Sequence, residues 1–286
     1  MKGLVPKGSR IIRTRSEGAF LKTLPKATHA ITWHFKKEWF AKAPKLKVLA
    51  TPAAGQEFVP TKGPKGVKIH FGHYHGRIMS ESVLGFMLCW AKGFFAVRQA
   101  PQGCRDWPRT WLSGRCTDVA GTRAVIVGYG NVGRAIGAKL ESQGVKVEGF
   151  SRKNIDNLAN SAKNADWFIM ALPSTTGTDN LLDAKLLARL PKKCVVINVG
   201  RGNSVDEKAL LKSLRQGKIA GAYLDVCKHE PSGTGGDRPR KIQAGVHFLG
   251  SVPNLPENLV LMPHASAFSP RYLIHCFEEL KDDGCL

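Results

Sequence analysis

Short, continuous apolar runs alternate with amphipathic stretches through the second half of the chain. Runs of about 4–8 apolar residues are typical of strands buried on both faces, and a period near 3.6 is typical of helices. We predict strands at residues 124–127, 145–150, 167–172, 194–199, 220–226 and 259–262, and helices at residues 131–143 and 209–216. This alternation predicts an α/β fold in which a doubly wound parallel sheet is covered on both faces.

The first half of the chain carries a weaker pattern. Two apolar runs, 45–51 and 65–71, are followed by Pro or Gly and are predicted as strands. The stretch 80–93 has apolar residues on nearly every side, which predicts a helix buried between layers or at an interface. Residues 99–121 are predicted to connect elements, and residues 232–258 to form a long loop, since both are rich in Gly, Pro and basic residues.

The composition is that of a folded protein. Hydrophobic residues make up 43% of the 286 residues and charged residues 23%, which excludes wholesale disorder. No run reaches the ~18 apolar residues of a membrane helix, so we predict no membrane association. The 7 cysteines are widely spaced and form no CxxC pair, which favours a reducing compartment. We therefore predict a cytoplasmic protein, with organellar import as the alternative because residues 1–20 are basic.

The net charge of +21 is the unusual quantity of this sequence. Residues 1–70 contain 15 Lys and Arg but 3 Asp and Glu. A field of this sign attracts anions such as nucleotides, carboxylate substrates, nucleic acids and acidic membranes. The charge alone does not choose among them, and a solvated basic surface is the alternative. No recognised nucleic-acid-binding motif occurs, so we predict no nucleic-acid partner.

A G-x-G-x-x-G motif lies between a predicted strand and a predicted helix. In this motif Gly128 permits a tight turn, Gly130 lets a pyrophosphate approach the backbone, and Gly133 allows the helix to pack closely on the strand. The N–H groups at the start of the helix, at Asn131 and Val132, are placed to hold the phosphates. The context predicts a dinucleotide-binding domain of the Rossmann type.

The end of the following strand decides which dinucleotide we expect. An NAD-binding fold offers Asp or Glu there to the ribose 2′-hydroxyl. This sequence has Ser151, Arg152 and Lys153 instead. Two cations and a hydroxyl suit a 2′-phosphate, so NADP(H) is favoured over NAD(H). The nearby acid Glu148 is expected to point elsewhere, because side chains alternate along a strand.

Four further segments occur in the order in which a known family has them. They are DWFIMALPSTTGT at 166–178, NVGRGNSVDEKAL at 198–210, GAYLDVCKHEP at 221–231 and MPH at 262–264. By these motifs, over roughly residues 20–275, the sequence resembles the D-isomer-specific 2-hydroxyacid dehydrogenases. Its Ser-Arg-Lys tip is most similar to that of the NADPH-dependent glyoxylate/hydroxypyruvate reductases.

The resemblance implies a domain organisation and a reaction. It implies a Rossmann-type cofactor domain at 80–267, inserted into a smaller flavodoxin-like substrate domain at 1–79 and 268–286. Both ends of this substrate domain look shorter than is usual in the family. The implied activity is hydride transfer between NAD(P)H and a small 2-oxo acid or D-2-hydroxy acid, such as glyoxylate or hydroxypyruvate. The implied partner is therefore a small organic anion.

The resemblance also assigns roles to single residues. Arg201 corresponds to the arginine that grips the substrate carboxylate, His264 to the catalytic histidine and Glu230 to the acid that hydrogen-bonds it. The backbone of Ala54 and Gly55 corresponds to a loop that meets the same carboxylate. The remaining implied cofactor contacts are Asp225, which faces the nicotinamide carboxamide, and Leu172, Pro173, Thr178, Val199 and Gly200.

The same roles suit the chemistry of the catalytic residues. Reduction of a 2-oxo acid needs a hydride at carbon and a proton at oxygen. Histidine titrates near neutral pH, and a carboxylate partner keeps it protonated. Arginine offers a carboxylate a planar fork of donors. Arg201, Glu230 and His264 all follow predicted strands, which is where open α/β sheets bind their ligands.

Three expectations concern metal, assembly and the alternative function. His70, His73 and His75 lie in a Gly-rich segment without Cys or acidic ligands beside them, so we predict no metal site.

The apolar helix 83–95 and the Trp-rich arm 107–111 pack between subunits in the resembling family, which implies a homodimer. The alternative function is a dinucleotide-sensing binding protein with weak catalysis, similar to the C-terminal-binding-protein corepressors.

Overall fold

A computed structural model describes residues 3–55, 58–104, 106–230 and 254–286. The chain divides into two compact units, one of residues 1–75 and 268–286 and the other of residues 76–267. We call them unit 1 and unit 2. The sequence predicted the first boundary at 79/80, and the structure divides at 75/76. Most of the predicted loop 232–258 lies outside the described residues.

Unit 1 contains a three-stranded parallel sheet with the order β1-β2-β3. Its elements are β1 (His29–Ile31), β2 (Val48–Thr51), β3 (Lys68–Phe71), α1 (Glu17–Thr23) and α8 (Tyr272–Asp282). Strand β2 is buried throughout, and its side chains alternate between two cores. Leu49 packs with Leu24 and Trp39 on one face. Val48 packs with Leu280 of α8 on the other, so that both faces of the small sheet are covered.

Unit 2 contains a six-stranded parallel sheet with the order β5-β4-β6-β7-β8-β9. The strands are β4 (Arg123–Val127), β5 (Lys146–Phe150), β6 (Trp167–Met170), β7 (Val195–Asn198), β8 (Gly221–Leu224) and β9 (Leu259–Leu261). The helices are α2 (His75–Ala91), α3 (Arg109–Ser113), α4 (Asn131–Glu141), α5 (Leu158–Ser161), α6 (Ala184–Leu187) and α7 (Glu207–Arg215). Short 3₁₀ helices lie at 24–26 and 37–42 in unit 1, and at 96–99, 102–104, 155–157, 162–164, 176–178 and 202–204 in unit 2.

The central strands of unit 2 are apolar at every position because each face meets a separate core. Val125 and Val127 of β4 belong to one cluster of buried residues. Ala124 and Ile126, which alternate with them, belong to the other. An apolar run without polar alternation is what a sheet covered on both faces requires. The predicted α/β fold of the Rossmann type is confirmed.

Helix α2 begins at His75, five residues before the predicted start, and it is not buried all round. The segment containing the histidines was expected to be a loop because it is rich in glycine. Gly76 is instead a packing position, where a Cβ atom would lie 2.8 Å from the Cβ of Ala135. On the same helix Val83 and Met87 are fully buried, whereas Leu88 remains 40% exposed.

One stretch of the described chain, His75–Gln99, is long and apolar enough to cross a membrane by length and composition. The sequence expectation that no such stretch exists was therefore too strict. This finding is weak evidence for a membrane, since the core helix of a soluble protein passes the same test. Val83, Phe86 and Met87 of this stretch belong to the core of unit 2.

Candidate active site

The carboxyl ends of the six strands of unit 2 carry most of the residues to which the sequence assigns chemistry. In sheet order, the segments that leave the strands are 151–153, 128–133, 171–173, 199–201, 225–230 and 262–264. Because parallel strands end at the same edge of a sheet, these segments lie side by side. The predicted catalytic residues follow β7, β8 and β9. Most of the predicted cofactor residues follow β5, β4 and β6, whereas Val199, Gly200 and Asp225 follow β7 and β8.

The glycine motif forms a tight turn from β4 into α4. Gly128 has a φ of +94°, and a Cβ atom there would lie 2.6 Å from the carbonyl oxygen of Ala171. A Cβ atom on Gly133 would lie 2.3 Å from the carbonyl oxygen of Gly128, so that only glycine lets the helix pack this closely. Both glycines therefore serve the purposes that the motif predicts.

The start of α4 has the features of a phosphate site. Nothing lies within 4 Å of the position that a Cβ atom of Gly130 would occupy, so a ligand can approach the backbone there. As N-cap, Gly130 has no side chain to accept the first N–H groups of the helix. Asn131, Val132 and Gly133 are the first three helical residues, and their N–H groups have no carbonyl oxygen within the helix to bind. These donors fit a dinucleotide pyrophosphate.

The predicted 2′-phosphate tip lies next to this turn. The carbonyl oxygen of Phe150 accepts the N–H groups of Gly128 (2.9 Å) and Tyr129 (2.8 Å), which ties the end of β5 to the glycine motif. Beyond it Ser151, Arg152 and Lys153 are exposed. The side chain of Asn154 shapes this tip, because its Oδ1 accepts the N–H of Ser151 at 2.8 Å.

The acid Glu148 faces away from the tip, as expected from strand alternation. Its carboxylate accepts a hydrogen bond from the Ser161 hydroxyl at 2.6 Å, on α5. Glu148 therefore does not supply a carboxylate to the tip.

Leu172, Pro173, Thr178, Val199 and Gly200 also come together. A Cβ atom on Gly200 would lie 2.5 Å from the backbone nitrogen of Leu172, so the two loops are in direct contact. The hydroxyl of Thr178 donates to the carbonyl oxygen of Pro173 at 2.8 Å. The N–H of Val199 donates to the carbonyl oxygen of Met170 at 3.0 Å. The ends of β6 and β7 thus form one continuous surface.

Arg201 is held at the end of β7 by two polar residues that the sequence analysis did not single out. The buried side chain of Asn198 donates to the carbonyl oxygen of Arg201 at 3.1 Å and accepts the N–H of Gly200 at 3.1 Å. The Ser204 hydroxyl donates to the same Arg201 carbonyl oxygen at 2.7 Å. These contacts fix the backbone from which the guanidinium extends.

Glu230 and His264 form a direct hydrogen-bonded pair. Nδ1 of His264 lies 2.9 Å from Oε2 of Glu230. The other carboxylate oxygen of Glu230 accepts the N–H of Cys227 at 3.1 Å. His264 has a φ of +55°, in the left-handed region that non-glycine residues seldom adopt, and its side chain is 50% exposed. Backbone strain of this kind is concentrated at functional sites.

The electrostatics of the pair favour a protonated imidazole. The pKa of His264 is raised, mainly because Glu230 accepts a hydrogen bond from the ring. Burial and the positive charge of Arg201 oppose this, whereas the negative charges of Glu230 and Asp225 add to it. The structure brings Glu230 and His264 into direct contact, and Arg201 follows β7, the strand next to β8 in the same sheet.

Asp225 is buried and fixes the loop that carries His264. Its Oδ1 accepts the N–H groups of Ala265 (2.8 Å) and Ser266 (3.0 Å). Its carbonyl oxygen accepts the N–H of His264 at 2.8 Å. The resemblance assigns Asp225 a place near the nicotinamide, and the structure adds a contact to the catalytic loop.

Ala54 and Gly55 belong to unit 1, where they follow β2. The preceding turn is fixed by the buried Thr51, whose hydroxyl accepts the N–H of Ala53 at 3.2 Å. The carbonyl oxygen of Pro52 accepts hydrogen bonds from Tyr74 (3.1 Å) and Tyr272 (3.0 Å). Ala54 and Gly55 therefore follow a strand end that is held by hydrogen bonds.

The histidine segment of unit 1 does have acidic neighbours, contrary to the sequence reasoning. Glu279 and Asp283 of the C-terminal segment approach the buried His70, and the three form a group that could offer ligands to a metal. Nε2 of His70 lies 2.8 Å from Glu279, whereas its other nitrogen, Nδ1, lies 3.4 Å from Asp283. The two carboxylates lie at different ring nitrogens of His70, and Asp283 is 48% exposed. Exposed acidic groups in such a cluster are common without a metal ion, so the absence of a metal site stays a prediction.

The fold and the glycine turn define an α/β protein with a dinucleotide-binding domain, and the same sheet edge carries the candidate acid–base residues Arg201, Glu230 and His264. The family model of the D-isomer specific 2-hydroxyacid dehydrogenase NAD binding domain matches residues 84–266. The chain belongs to this family. Its members are NAD(P)-dependent dehydrogenases that act on the CH–OH group of D-2-hydroxy acids.

Individual relatives and solved structures agree with this assignment. The chain is 28% identical to a glycerate dehydrogenase of Methylorubrum extorquens, over 84% of this chain and 75% of the relative. It is 29% identical to a glyoxylate reductase of Pyrococcus horikoshii, over 68% of this chain and 64% of the relative. The fold is similar to that of a D-isomer specific 2-hydroxyacid dehydrogenase from Xanthobacter autotrophicus Py2 in complex with NADPH and MES, with a TM-score of 0.65, 24% identity, and coverage of 91% of this chain and 81% of that one.

Proposed function

We propose that the protein reduces small 2-oxo acids to D-2-hydroxy acids with a nicotinamide dinucleotide. The observation that carries the proposal is the Glu230–His264 pair, 2.9 Å apart, on the same sheet edge as the glycine turn of α4. The family assignment of residues 84–266 supports it. The identities to a glycerate dehydrogenase and a glyoxylate reductase favour glyoxylate or hydroxypyruvate as substrate.

In this reaction the bound dinucleotide would supply the hydride, and the residues of the chain would do the rest. Protonated His264, bonded to Glu230 through Nδ1, presents Nε2 to donate a proton to the carbonyl oxygen that becomes a hydroxyl. Arg201 offers its planar fork to the substrate carboxylate and keeps positive charge near the developing alkoxide. The assignment of Ala54 and Gly55, which the sequence resemblance implies, stays a prediction.

The proposed cofactor is NADP(H) rather than NAD(H). The family model is described by NAD binding, and a structural neighbour contains NADPH, so this choice depends on the residues of this chain. Exposed Arg152 and Lys153 at the end of β5 suit a 2′-phosphate, and the carboxylate of Glu148 is bonded to Ser161. The start of α4 would hold the pyrophosphate.

We propose a homodimer in a reducing compartment such as the cytoplasm. Leu88, Phe94, Val97 and Trp107 of unit 2 are exposed apolar residues on α2 and the segment that follows it. Exposed apolar residues this close in sequence favour an interface. The seven cysteines are all free thiols, which fits a reducing environment.

Steady-state oxidation of NADPH by the full chain, with glyoxylate and with hydroxypyruvate, tests the function. The wild type is expected to turn over at least one of them. His264→Gln should lower kcat by ~10²–10⁴-fold, the usual contribution of a positioned general acid, with the Kd of NADPH nearly unchanged. Full turnover by His264→Gln would refute the role of His264. NADPH binding without turnover of any 2-oxo acid by the wild type would favour a dinucleotide-sensing protein instead.

A further inference from the structure

The position of the Glu230 carboxylate depends on the backbone of the turn that contains this residue. Residues 225–230 follow β8, and Glu230 folds back so that Oε1 accepts the N–H of Cys227, at 3.1 Å. Only with the carboxylate in this position does Oε2 meet Nδ1 of His264 at 2.9 Å. Any movement of the N–H groups of this turn would therefore change the contact between Glu230 and His264.

A second carboxylate holds the same turn from outside. Oε1 of Glu207 accepts the N–H of Lys228 at 2.6 Å, next to the N–H that Glu230 binds. The turn also rests on Gly202, where a Cβ atom would lie 2.0 Å from the carbonyl carbon of Cys227. Only glycine permits that approach. The segment after Arg201 therefore contacts the turn at two points, through Gly202 and through Glu207.

Glu207 is itself firmly placed. It is the first residue of α7, and the N-cap Asp206 fixes the helix start by accepting the N–H of Ala209 at 3.1 Å. Leu210 and Leu214 bury the inner face of the helix in the core of unit 2. A carboxylate in the first turn also interacts favourably with the positive end of the helix dipole.

The surroundings of Glu207 explain why its carboxylate is stabilised by the hydrogen bond from the Lys228 N–H. Burial raises the pKa of Glu207, and the hydrogen bond from the Lys228 N–H and the positive charges of His229 and Lys228 oppose that rise. Asp206 on its own helix raises the pKa further. A half-buried carboxylate needs a donor to offset the loss of water, and the backbone of the turn provides it.

We propose that Glu207 is a positioning residue for the catalytic pair, which holds the turn 227–230 so that Glu230 stays aimed at His264. The consequence for catalysis rests on the proposed function. The consequence for the imidazole does not, because Glu230 raises the pKa of His264 whether or not a substrate is turned over. In this role Glu207 acts through the length of its side chain and its acceptor atom, because it contacts the turn through the hydrogen bond that it accepts from the Lys228 N–H.

Three variants test whether the length or the charge of the Glu207 side chain is what positions the turn. Glu207→Asp keeps the charge but shortens the side chain by about one C–C bond, so the contact with Lys228 is lost. Glu207→Gln removes the charge but keeps an oxygen acceptor at the same distance. The matched control is Asp166→Ala at the opposite edge of the sheet, where a carboxylate also accepts a backbone N–H, that of Arg123, at 2.8 Å.

The primary measurement is the pKa of the His264 imidazole by NMR titration of the full chain, with the His264→Gln spectrum identifying the signal. We expect the pKa to fall by about 0.5–1 in Glu207→Asp and to stay near the wild-type value in Glu207→Gln and Asp166→Ala. Correspondingly, kcat/KM at alkaline pH should fall by about 3–10-fold in Glu207→Asp alone. A wild-type His264 pKa in folded Glu207→Asp would overturn the inference.

Two results distinguish this inference from the proposed function. A lowered His264 pKa in Glu207→Asp, with no 2-oxo acid reduced by the wild type, would support the positioning role and reject the reductase. Turnover by the wild type, together with an unchanged His264 pKa in Glu207→Asp, would support the reductase and reject the positioning role. If Glu207→Asp does not fold, Glu207→Gln decides, because a large fall of the His264 pKa in that variant would contradict a role that depends on the acceptor atom.

Discussion

A single pair of side chains sets how the proposed reaction depends on pH. Reduction needs His264 protonated, and Glu230 raises the pKa of His264 by accepting its hydrogen bond. The rate of reduction should therefore be high at low pH and fall as the pH rises through the pKa of His264. Exposure of half the imidazole lets the ring exchange protons with solvent.

Glu230→Gln should lower the pKa of His264, because a neutral amide stabilises the imidazolium less than a carboxylate does. We expect the midpoint of the kcat/KM profile to move down by about 1–2 pH units. The loss should be severe at high pH and mild below both midpoints. Glu278→Gln is the control, because it alters another carboxylate bonded to a histidine, His275, outside the site. Parallel pH profiles for wild type and Glu230→Gln would contradict the pairing.

At this scale the candidate catalytic residues are easier to find in the sequence than the residues that hold them in place. Arg201, Glu230 and His264 are chemically distinctive and stand in recognisable motifs. Asn198 and Ser204 bind backbone groups two or three residues away, whereas Glu207 binds the backbone of a turn that lies 21 residues further along the chain. Side chains that bind backbone groups in these ways leave no distinctive pattern in the composition. A buried polar residue at the end of an apolar strand or directly after it, such as Asn198 or Asp225, is the signal that could have indicated this role.

At the scale of elements, the end of β5 is where cofactor choice is expected to be made. Arg152→Ala should weaken NADPH far more than NADH, since a charge-assisted bond to a phosphate contributes ~1.5–3 kcal/mol, or roughly 10–100-fold in Kd. Fluorescence titration with both dinucleotides measures the two losses. Arg123→Ala, at the other end of β4, is the control. Equal losses for NADPH and NADH would reject the assignment of Ser151–Lys153.

The elements themselves were predicted unequally. Every predicted strand of unit 2 is present, because a strand buried on both faces is apolar at each position and reads as an unbroken run. The start of α2 was missed because Gly76 resembles a loop residue and acts instead in close packing against Ala135. Strand β1 was missed because its three residues, starting at His29, are too few to show a period.

At the scale of the whole molecule, the exposed apolar residues around α2 lead to a prediction about assembly. Phe94 and Trp107 are 66% and 81% exposed, which is costly for large apolar side chains in water. We expect a two-fold dimer by light scattering at micromolar concentration, and a monomer after Phe94→Ser. Phe268→Ser, which removes an equally exposed ring from unit 1, should leave the mass unchanged. A monomeric wild type would contradict the dimer.

The net charge of +21 is also a property of the whole molecule. Organic anions and dinucleotides are both negatively charged, so the field favours their encounter with the protein. The excess of Lys and Arg in the first 70 residues means that this attraction is strongest around unit 1.

The turn that carries Glu230 has a consequence for the chemical durability of the protein. Burial raises the pKa of the Cys227 thiol to about 12, and the nearby carboxylates of Glu207, Glu230 and Asp225 add to the effect. At neutral pH this sulfur stays protonated, and oxidants and alkylating agents react with thiolates. A cysteine three residues from Glu230 is thereby kept inert, and reagents of this kind meet the exposed Cys116 instead.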